Sequence, residues 1–375
     1  MVINLSEKMN QNTRVLYIEP YYGGSHRLLL ENLRSKFPGD LFTMRPKKWG
    51  WRLRSAALTL SQKIPPAQQY DILFASSMLN LAEFLSLRPD FTSKRKVLYC
   101  HENQLEYPKQ NTDQEERDYY FGHANVVSCL VADIIVWNSN FNLESFLKGV
   151  IHLFASLPIE SDCKPKSQLL INEIRRKSIV IPIPIDIPEL PVYPDINSNK
   201  EILRIGYPHR WEHDKNPDLF LRVLYRLKTE AQVNFTVMIF GGETFELSDV
   251  KSQLLNVVNE TQIASCGHIS DRIQYLKFLQ SCDVVVSTAV HEFFGVAMVE
   301  AALLGCHVIC PKRLSYPELF QNECMYTTDA QLFKMLKYLC ERPQLVKRMK
   351  PYSDLRDSVR ETLQRGYNNF ETLFE

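Results

Sequence analysis

The chain has 375 residues, 45% of them hydrophobic and 23% charged, enough for two or three domains with sizeable cores. Forty-four Lys and Arg against forty-three Asp and Glu leave a formal charge of +1. That balance excludes a globally basic nucleic-acid binder and an acidic disordered chain, so any polyanionic partner must be held by a local patch.

The N-terminus from Met1 to Asn12 is polar, which predicts no signal peptide. No run of eighteen apolar residues occurs, so no membrane span and no membrane partner are expected. The nine Cys include no Cys-x-x-Cys pair; Cys306 and Cys310 only flank an apolar stretch. Scattered cysteines of this kind read as buried reduced thiols, and a cytoplasmic location is expected.

In chain order, a first strand is predicted at Arg14–Glu19, a turn at Tyr22–Gly24 and a helix from Ser25 to Lys36, with Ser25 as its N-cap. Further strands are expected at Ile72–Phe74, followed by a helix to about Leu87, at Lys96–Cys100, and at Asp133–Trp137, with a helix after Asn140. The run Ile181-Pro182-Ile183-Pro184-Ile185-Asp186-Ile187-Pro188 cannot be helical and reads as a hinge between domains. Alternation then resumes with strands at Ile202–Gly206, Phe235–Phe240, Ile263–Ser265, Val284–Val286 and His307–Ile309. From about Asp329 the pattern is helical only. Strand–helix alternation implies parallel sheets covered on both faces. The expected fold class is therefore α/β, with two Rossmann-like doubly wound domains facing across a cleft. Residues 1–190 form the first, 191–350 the second, and 351–375 a helix packing back towards the first.

In such sheets ligands bind beyond the carboxyl ends of the strands, which directs attention to four loops. Gly23-Gly24-Ser25-His26 follows the first strand, and its glycines allow backbone amides to approach an anion. His101-Glu102-Asn103-Gln104 is poor core material; its imidazole suits a base or a partner for a sugar hydroxyl. In Pro208–Pro217, Arg210 and Lys215 can converge on a phosphate, while Asn216 caps a helix that opens on Pro217. In His291–Glu300, the segment Phe294-Gly295-Val296 opens a helix whose first amides favour a diphosphate, and Gly305 ends it. If all of Glu292–Glu300 were helical, the rise would part the two carboxylates by about 12 Å. That is too far for the acid–base pair of a glycoside hydrolase, about 5–9.5 Å. The two carboxylates therefore do separate jobs on one extended ligand.

Arg45-Pro46-Lys47-Lys48-Trp49-Gly50-Trp51-Arg52-Leu53-Arg54 carries five basic residues, two Trp and no acid. Lys47, Lys48 and Arg52 would grip phosphates while Trp49 and Trp51 stack on unpaired bases. Its Pro46 and Gly50 argue against a membrane-surface helix. Lys94–Lys96 and Arg175–Lys177 are candidates to extend this patch.

Two Rossmann-like domains, an Arg-x4-Lys loop (Arg210, Lys215) and a Glu-x7-Glu helix (Glu292, Glu300) resemble the retaining GT-B glycosyltransferases of family four. More closely, Tyr22–His26, Pro46–Trp49, Phe74–Ser77, His101–Leu105, Pro208–Lys215 and His291–Met298 are similar to the branch of that family that mannosylates queuosine in tRNA. The resemblance implies a retaining hexosyltransferase with GDP-mannose as donor and, as acceptor, queuosine at the wobble position of tRNA(Asp). It implies no cofactor and no metal. Arg210 and Lys215 would hold the donor diphosphate, with Gly23, Gly24, Phe294, Gly295 and Val296 around the donor. Glu300 would bond the ribose hydroxyls, and Glu292 would contact the transferring sugar as a catalytic residue beside His101. His26, Asn103 and Gln104 would join Lys47, Lys48, Trp49, Trp51 and Arg52 towards the acceptor. Alternatives are a lipid or glycan acceptor, a non-catalytic tRNA- or nucleotide-binding protein, and a UDP-sugar epimerase of the same fold.

Overall fold

The computed structural model describes residues 13–106, 119–188, 190, 202–241, 247–348 and 351–374. The chain divides into two compact units: residues up to Ile185 together with those from Leu363 onward, and Asp186–Thr362.

The first unit is built on β1 (Val15–Glu19), α1 (Gly24–Lys36), β2 (Gly39–Thr43), α2 (Trp49–Ser61), β3 (Ile72–Ser76), α3 (Leu81–Leu87), β4 (Arg95–Cys100), α4 (Tyr120–Val131), β5 (Ile134–Trp137), α5 (Asn140–Ala155), α6 (Ser167–Lys177) and β6 (Ser178–Val180). Its six strands run parallel in the order β2-β1-β3-β4-β5-β6. The inner strands are apolar on both faces (Val15–Ile18, Ile72–Ala75 and Val97–Cys100 are all buried), as helices on both sides require.

The second unit holds β7 (Leu203–Tyr207), α7 (Pro217–Thr229), β8 (Phe235–Ile239), α8 (Leu247–Leu255), β9 (Ile263–Cys266), α9 (Arg272–Ser281), β10 (Val284–Val286), α10 (Val296–Leu303), β11 (His307–Pro311), β12 (Met325–Tyr326), α11 (Asp329–Glu341) and α12 (Pro343–Arg348). Its parallel order is β12-β11-β10-β7-β8-β9. The last helix, α13 (Pro351–Phe374), begins in the second unit and ends in the first, where Phe374 packs on Tyr17, Phe37 and Phe74, and Phe370 on Tyr99.

Strand order marks a candidate crevice in each unit. The direction of winding reverses between β1 and β3 in the first sheet and between β7 and β10 in the second. At such points the loops leaving neighbouring strands diverge and open a crevice.

Four expectations need correction. The strands β2, β6 and β12 are not evident from the sequence pattern; they are two to five residues long and lie at sheet edges, where apolar patterning is weak. Ser25 does not cap α1: the cap position is Gly23, and no side chain bonds there. The Ile-Pro run does contain the boundary between the units, after Ile185, but up to there it is packed into the first unit, with Ile181, Ile183 and Ile185 buried. Tyr99 donates to the Ile181 carbonyl and Asn32 to that of Pro184, which ties the run to the first unit. The basic stretch enters a helix at Trp49, with Leu53, Ala56, Ala57 and Leu60 of α2 buried in the core.

All nine cysteines are free thiols. Among the described residues, no helix is long and apolar enough to cross a membrane.

Candidate active site

In the second unit the loops after β7 and β10 are zipped together by backbone bonds from Val290 and His291 N–H to the Asp214 carbonyl, at 2.9 and 3.2 Å. Tyr207 and Thr288 donate to the Lys215 carbonyl at 2.8 and 2.7 Å, fixing that residue from both strands. The Lys215 ammonium consequently meets three oxygens: Glu292 Oε2 at 3.1 Å, Asp214 Oδ2 at 3.1 Å and the His291 carbonyl at 3.0 Å. Burial alone would push the Lys215 pKa down, but Glu292 and Asp214 outweigh it and raise it. Burial likewise opposes charge on Glu292, and Lys215 with the nearby His209 holds its carboxyl below the ordinary range. Arg210 is half-exposed, with its guanidinium 3.1 Å from Glu212 and 3.9 Å from Asp214, the same carboxylate that Lys215 uses.

Asn216 adopts φ +51° and accepts from the Leu219 N–H, so α7 opens on Pro217 as the sequence indicates. Gly295 stands at the N-cap of α10 with φ +87°, and a Cβ there would lie 2.8 Å from the Tyr316 ring. Only glycine suits both constraints. Phe294 is buried and Val296 half-buried. Glu300, 1% exposed, is paired with Arg272 at the start of α9. Burial raises the Glu300 pKa, and Arg272 and Tyr275 oppose the rise.

In the first unit the loop after β1 begins at a buried acid. Glu19 Oε1 accepts from the Tyr21 N–H at 2.7 Å and Oε2 bonds His26 Nδ1 at 3.0 Å. The His26 and His101 rings stack with centroids 3.9 Å apart. Gly24 takes φ +52°, whereas Gly23 is extended and needed for clearance, a Cβ there lying 2.7 Å from Pro46. Glu19, His26 and His101 each offer one ligand atom within 4.8 Å of the others. Stacked rings, however, direct their in-plane lone pairs side by side rather than onto one point. The donor set therefore does not fit a chelated cation.

Two residues expected at the acceptor are turned inward. The Asn103 amide donates to Asn142 and Ser145 and accepts from the Glu106 N–H, so its side chain holds the loop. His26 is buried against Glu19. Gln104 is half-buried and bonded to Glu102.

The basic stretch is exposed at Lys47 and Lys48, and Trp49 and Trp51 are 42% and 67% exposed rather than folded inward. Arg52 is half-buried and donates to the Arg45 carbonyl. The start of α4 completes this surface: Phe121 lies 4.7 Å from Trp49, and Arg54 sits over the rings of Tyr120 and Phe121 at 5.2 and 4.3 Å. Lys94–Lys96 and Arg175–Lys177 do not extend it. Lys94–Lys96 runs into the start of β4 and Arg175–Lys177 precedes β6, at the amino edge of the parallel sheet, whereas the basic stretch follows the carboxyl end of β2. Lys96 pairs with Asp133, Arg175 with Glu144, and Arg176 and Lys177 with Glu173.

Sequence reasoning gave no role to Glu19, Asp214, Arg272, Tyr120 or Phe121. Glu19 left a legible signal, an acid closing a wholly apolar strand. Arg272, Tyr120 and Phe121 become visible only through partners distant in the chain, Glu300, Arg54 and Trp49.

A family model described as tRNA-queuosine alpha-mannosyltransferase N-terminal matches residues 14–185, and one described as glycosyl transferases group 1 matches residues 193–353. A Drosophila melanogaster tRNA-queuosine alpha-mannosyltransferase is 38% identical over 346 residues, covering 90% of this chain and 89% of its own. Among solved structures, Anabaena HepE in complex with UDP and glucose aligns with a TM-score of 0.63 at 16% identity, over 96% of this chain and 99% of that one. Sucrose-phosphate synthase from Thermosynechococcus elongatus aligns with a TM-score of 0.68 at 13% identity, over 96% of each chain. At these identities the structural likeness speaks for the fold, two parallel-sheet α/β domains of the GT-B kind.

Proposed function

Because the chain belongs to the tRNA-queuosine alpha-mannosyltransferase family, we propose that it moves mannose from GDP-mannose, with retention, onto the cyclopentenediol of queuosine at the wobble position of tRNA(Asp). Glycosyl transfer to queuosine-tRNA follows from the family; the donor, the stereochemistry and the residue roles are our reading.

The observation that carries it is the meeting of Lys215 with Glu292 and Asp214 where the second sheet reverses its winding. A nucleotide-sugar needs positive charge at its diphosphate and a hydrogen-bond acceptor at its sugar, and this site supplies both in a fixed arrangement. Lys215, Arg210 and the first amides of α10 match the diphosphate, whose charge grows as the C1–O bond breaks. Gly295 and Val296 let the donor approach those amides, with Phe294 behind them. Glu292, kept ionised by Lys215, is suited to accept from sugar hydroxyls. Glu300 is suited to the ribose hydroxyls. Fixed protein charges of this kind support transfer that needs neither metal nor cofactor. Attack from the leaving-group face, assisted by the departing phosphate, would give retention. Lys47, Lys48, Arg52, Trp49 and Trp51 suit an unpaired anticodon loop, and an acceptor in tRNA supports a cytoplasmic site of action.

The test is to incubate the protein with queuosine-containing tRNA(Asp) and GDP-mannose and to digest the tRNA to nucleosides. A hexose mass increment on queuosine is expected, absent with UDP-glucose. GDP release without that increment would overturn the acceptor assignment.

A further inference from the structure

Three titratable side chains meet at the carboxyl end of the first sheet. Glu19 is fully buried at the end of β1, with both carboxylate oxygens bonded. His26, on the first turn of α1, shares its Nδ1 with that carboxylate at 3.0 Å, and its ring faces His101 at 3.9 Å with the planes 28° apart. His101 is 4% exposed and edged by the Tyr99 ring at 4.8 Å. Its carbonyl accepts from Asn138, yet neither of its ring nitrogens has a hydrogen-bond partner among the described residues. Two unsatisfied nitrogens on a buried imidazole are costly unless a ligand completes them.

We propose that Glu19 and His26 are positioning residues for His101: the carboxylate holds a proton on His26, and the stacked imidazolium keeps His101 an uncharged imidazole, with an N–H on one edge and a lone pair on the other, one of which meets a substrate hydroxyl. The distinction matters chemically. A neutral imidazole both donates and accepts, as a hydroxyl does, whereas an imidazolium offers two donors and suits a phosphate oxygen. The groups facing the pair are Glu19 from β1, Tyr21 from the loop after it, Tyr99 on β4 and Glu102 beside His101. Burial opposes charge on His26, but Glu19 and then Glu102 override it and raise its pKa. Burial and the adjacent His26 hold His101 well below the ordinary histidine value. Burial keeps the Tyr99 phenol protonated.

The proposal rests on reading His101 as facing substrate, but its first measurement does not. Long-range 1H–15N spectra of histidine-labelled full-length protein at pH 7 report each ring directly. His26 is expected with both nitrogens protonated and His101 as one neutral tautomer; a neutral His26 would overturn the proposal. Glu19→Gln should discharge His26 at pH 7 and so raise the His101 pKa. His26→Phe, which keeps a stacked ring without the charge, should raise it similarly. In transfer assays either variant should then lose activity as pH falls from 8 to 6 while the parent stays level. Coincident pH profiles would also overturn the proposal, whereas mere structural damage would lower activity equally at all pH values. If neither variant folds, the parent spectrum alone decides. If the parent spectrum is as expected but no hexose reaches queuosine, the acceptor reading has failed and this pairing has not.

Discussion

The Lys215 ammonium reaches Glu292 Oε2 at 3.1 Å from seventy-seven residues away in sequence, and the two groups hold each other charged inside the second unit. Each offsets the cost of burying the other, so removing either exposes that cost. Asp214, at 3.1 Å from the same ammonium, makes the arrangement a triad and keeps Lys215 ionised when Glu292 is lost.

Substitution therefore separates stability from catalysis. Lys215→Met leaves two carboxylates facing each other and should cost about 3 kcal/mol in urea unfolding. Glu292→Gln should cost clearly less, because Asp214 still pairs the lysine, while lowering turnover by about 10²-fold or more. The double variant should be less destabilised than the sum of the singles. A Glu292→Gln protein with unchanged donor affinity and full turnover would sink the role assigned to Glu292.

Acid should weaken the second unit well above the range where carboxylates titrate. Burial lowers the pKa values of His209, His291 and His307 to about 4 each, helped at the first two by Lys215. In the unfolded chain these rings titrate near about 6.5. Between those limits the unfolded state binds more protons, so stability is complete above about pH 6.5 and is lost as pH falls towards 4. The slope can approach about 1.4 kcal/mol per pH unit for each histidine. Urea midpoints measured at pH 7, 6 and 5 should decline steadily, and His307→Phe should make the decline shallower. A midpoint level down to pH 5 would mean that these rings are protonated in the fold.

The surface formed by α2 and α4 should bind RNA through two separable forces. Neutralising Lys47 and Lys48 should weaken tRNA binding and reduce its salt slope by about 1.5. Tyr120→Ala should weaken binding with the salt slope unchanged, because ring stacking releases no counterions. Tyr120→Phe should restore it. Tyr120 is 37% exposed, so the alanine variant should fold. Filter binding across a salt series distinguishes these outcomes, and unaltered affinity in both variants would place the tRNA elsewhere.

The loops that carry the candidate site of the second unit are legible because their motif residues are local. Pro208–Pro217 directly follows β7 and His291–Glu300 comes shortly after β10, so naming the strands located the loops. The first site was read less well. Asn103 and His26 looked available as polar residues at a strand end, but the chain uses both to brace the loop against Asn142, Ser145 and Glu19. Polarity marks a residue that needs partners; it does not say whether those partners are substrate or protein. The basic stretch was recognised by composition, yet its helix was not, since Pro46 and Gly50 obscured a start that tertiary burial of Leu53 and Leu60 stabilises.

The sequence by itself determined two doubly wound sheets and the loops at their carboxyl ends, because strand and helix periodicity and turn chemistry are local properties of the chain. Only the tertiary structure decided which loops meet. Lys215 finds Glu292 because β10 lies beside β7, and His26 finds His101 because only β3 separates β4 from β1. Strand order is set by packing of the whole sheet, and no local pattern encodes it.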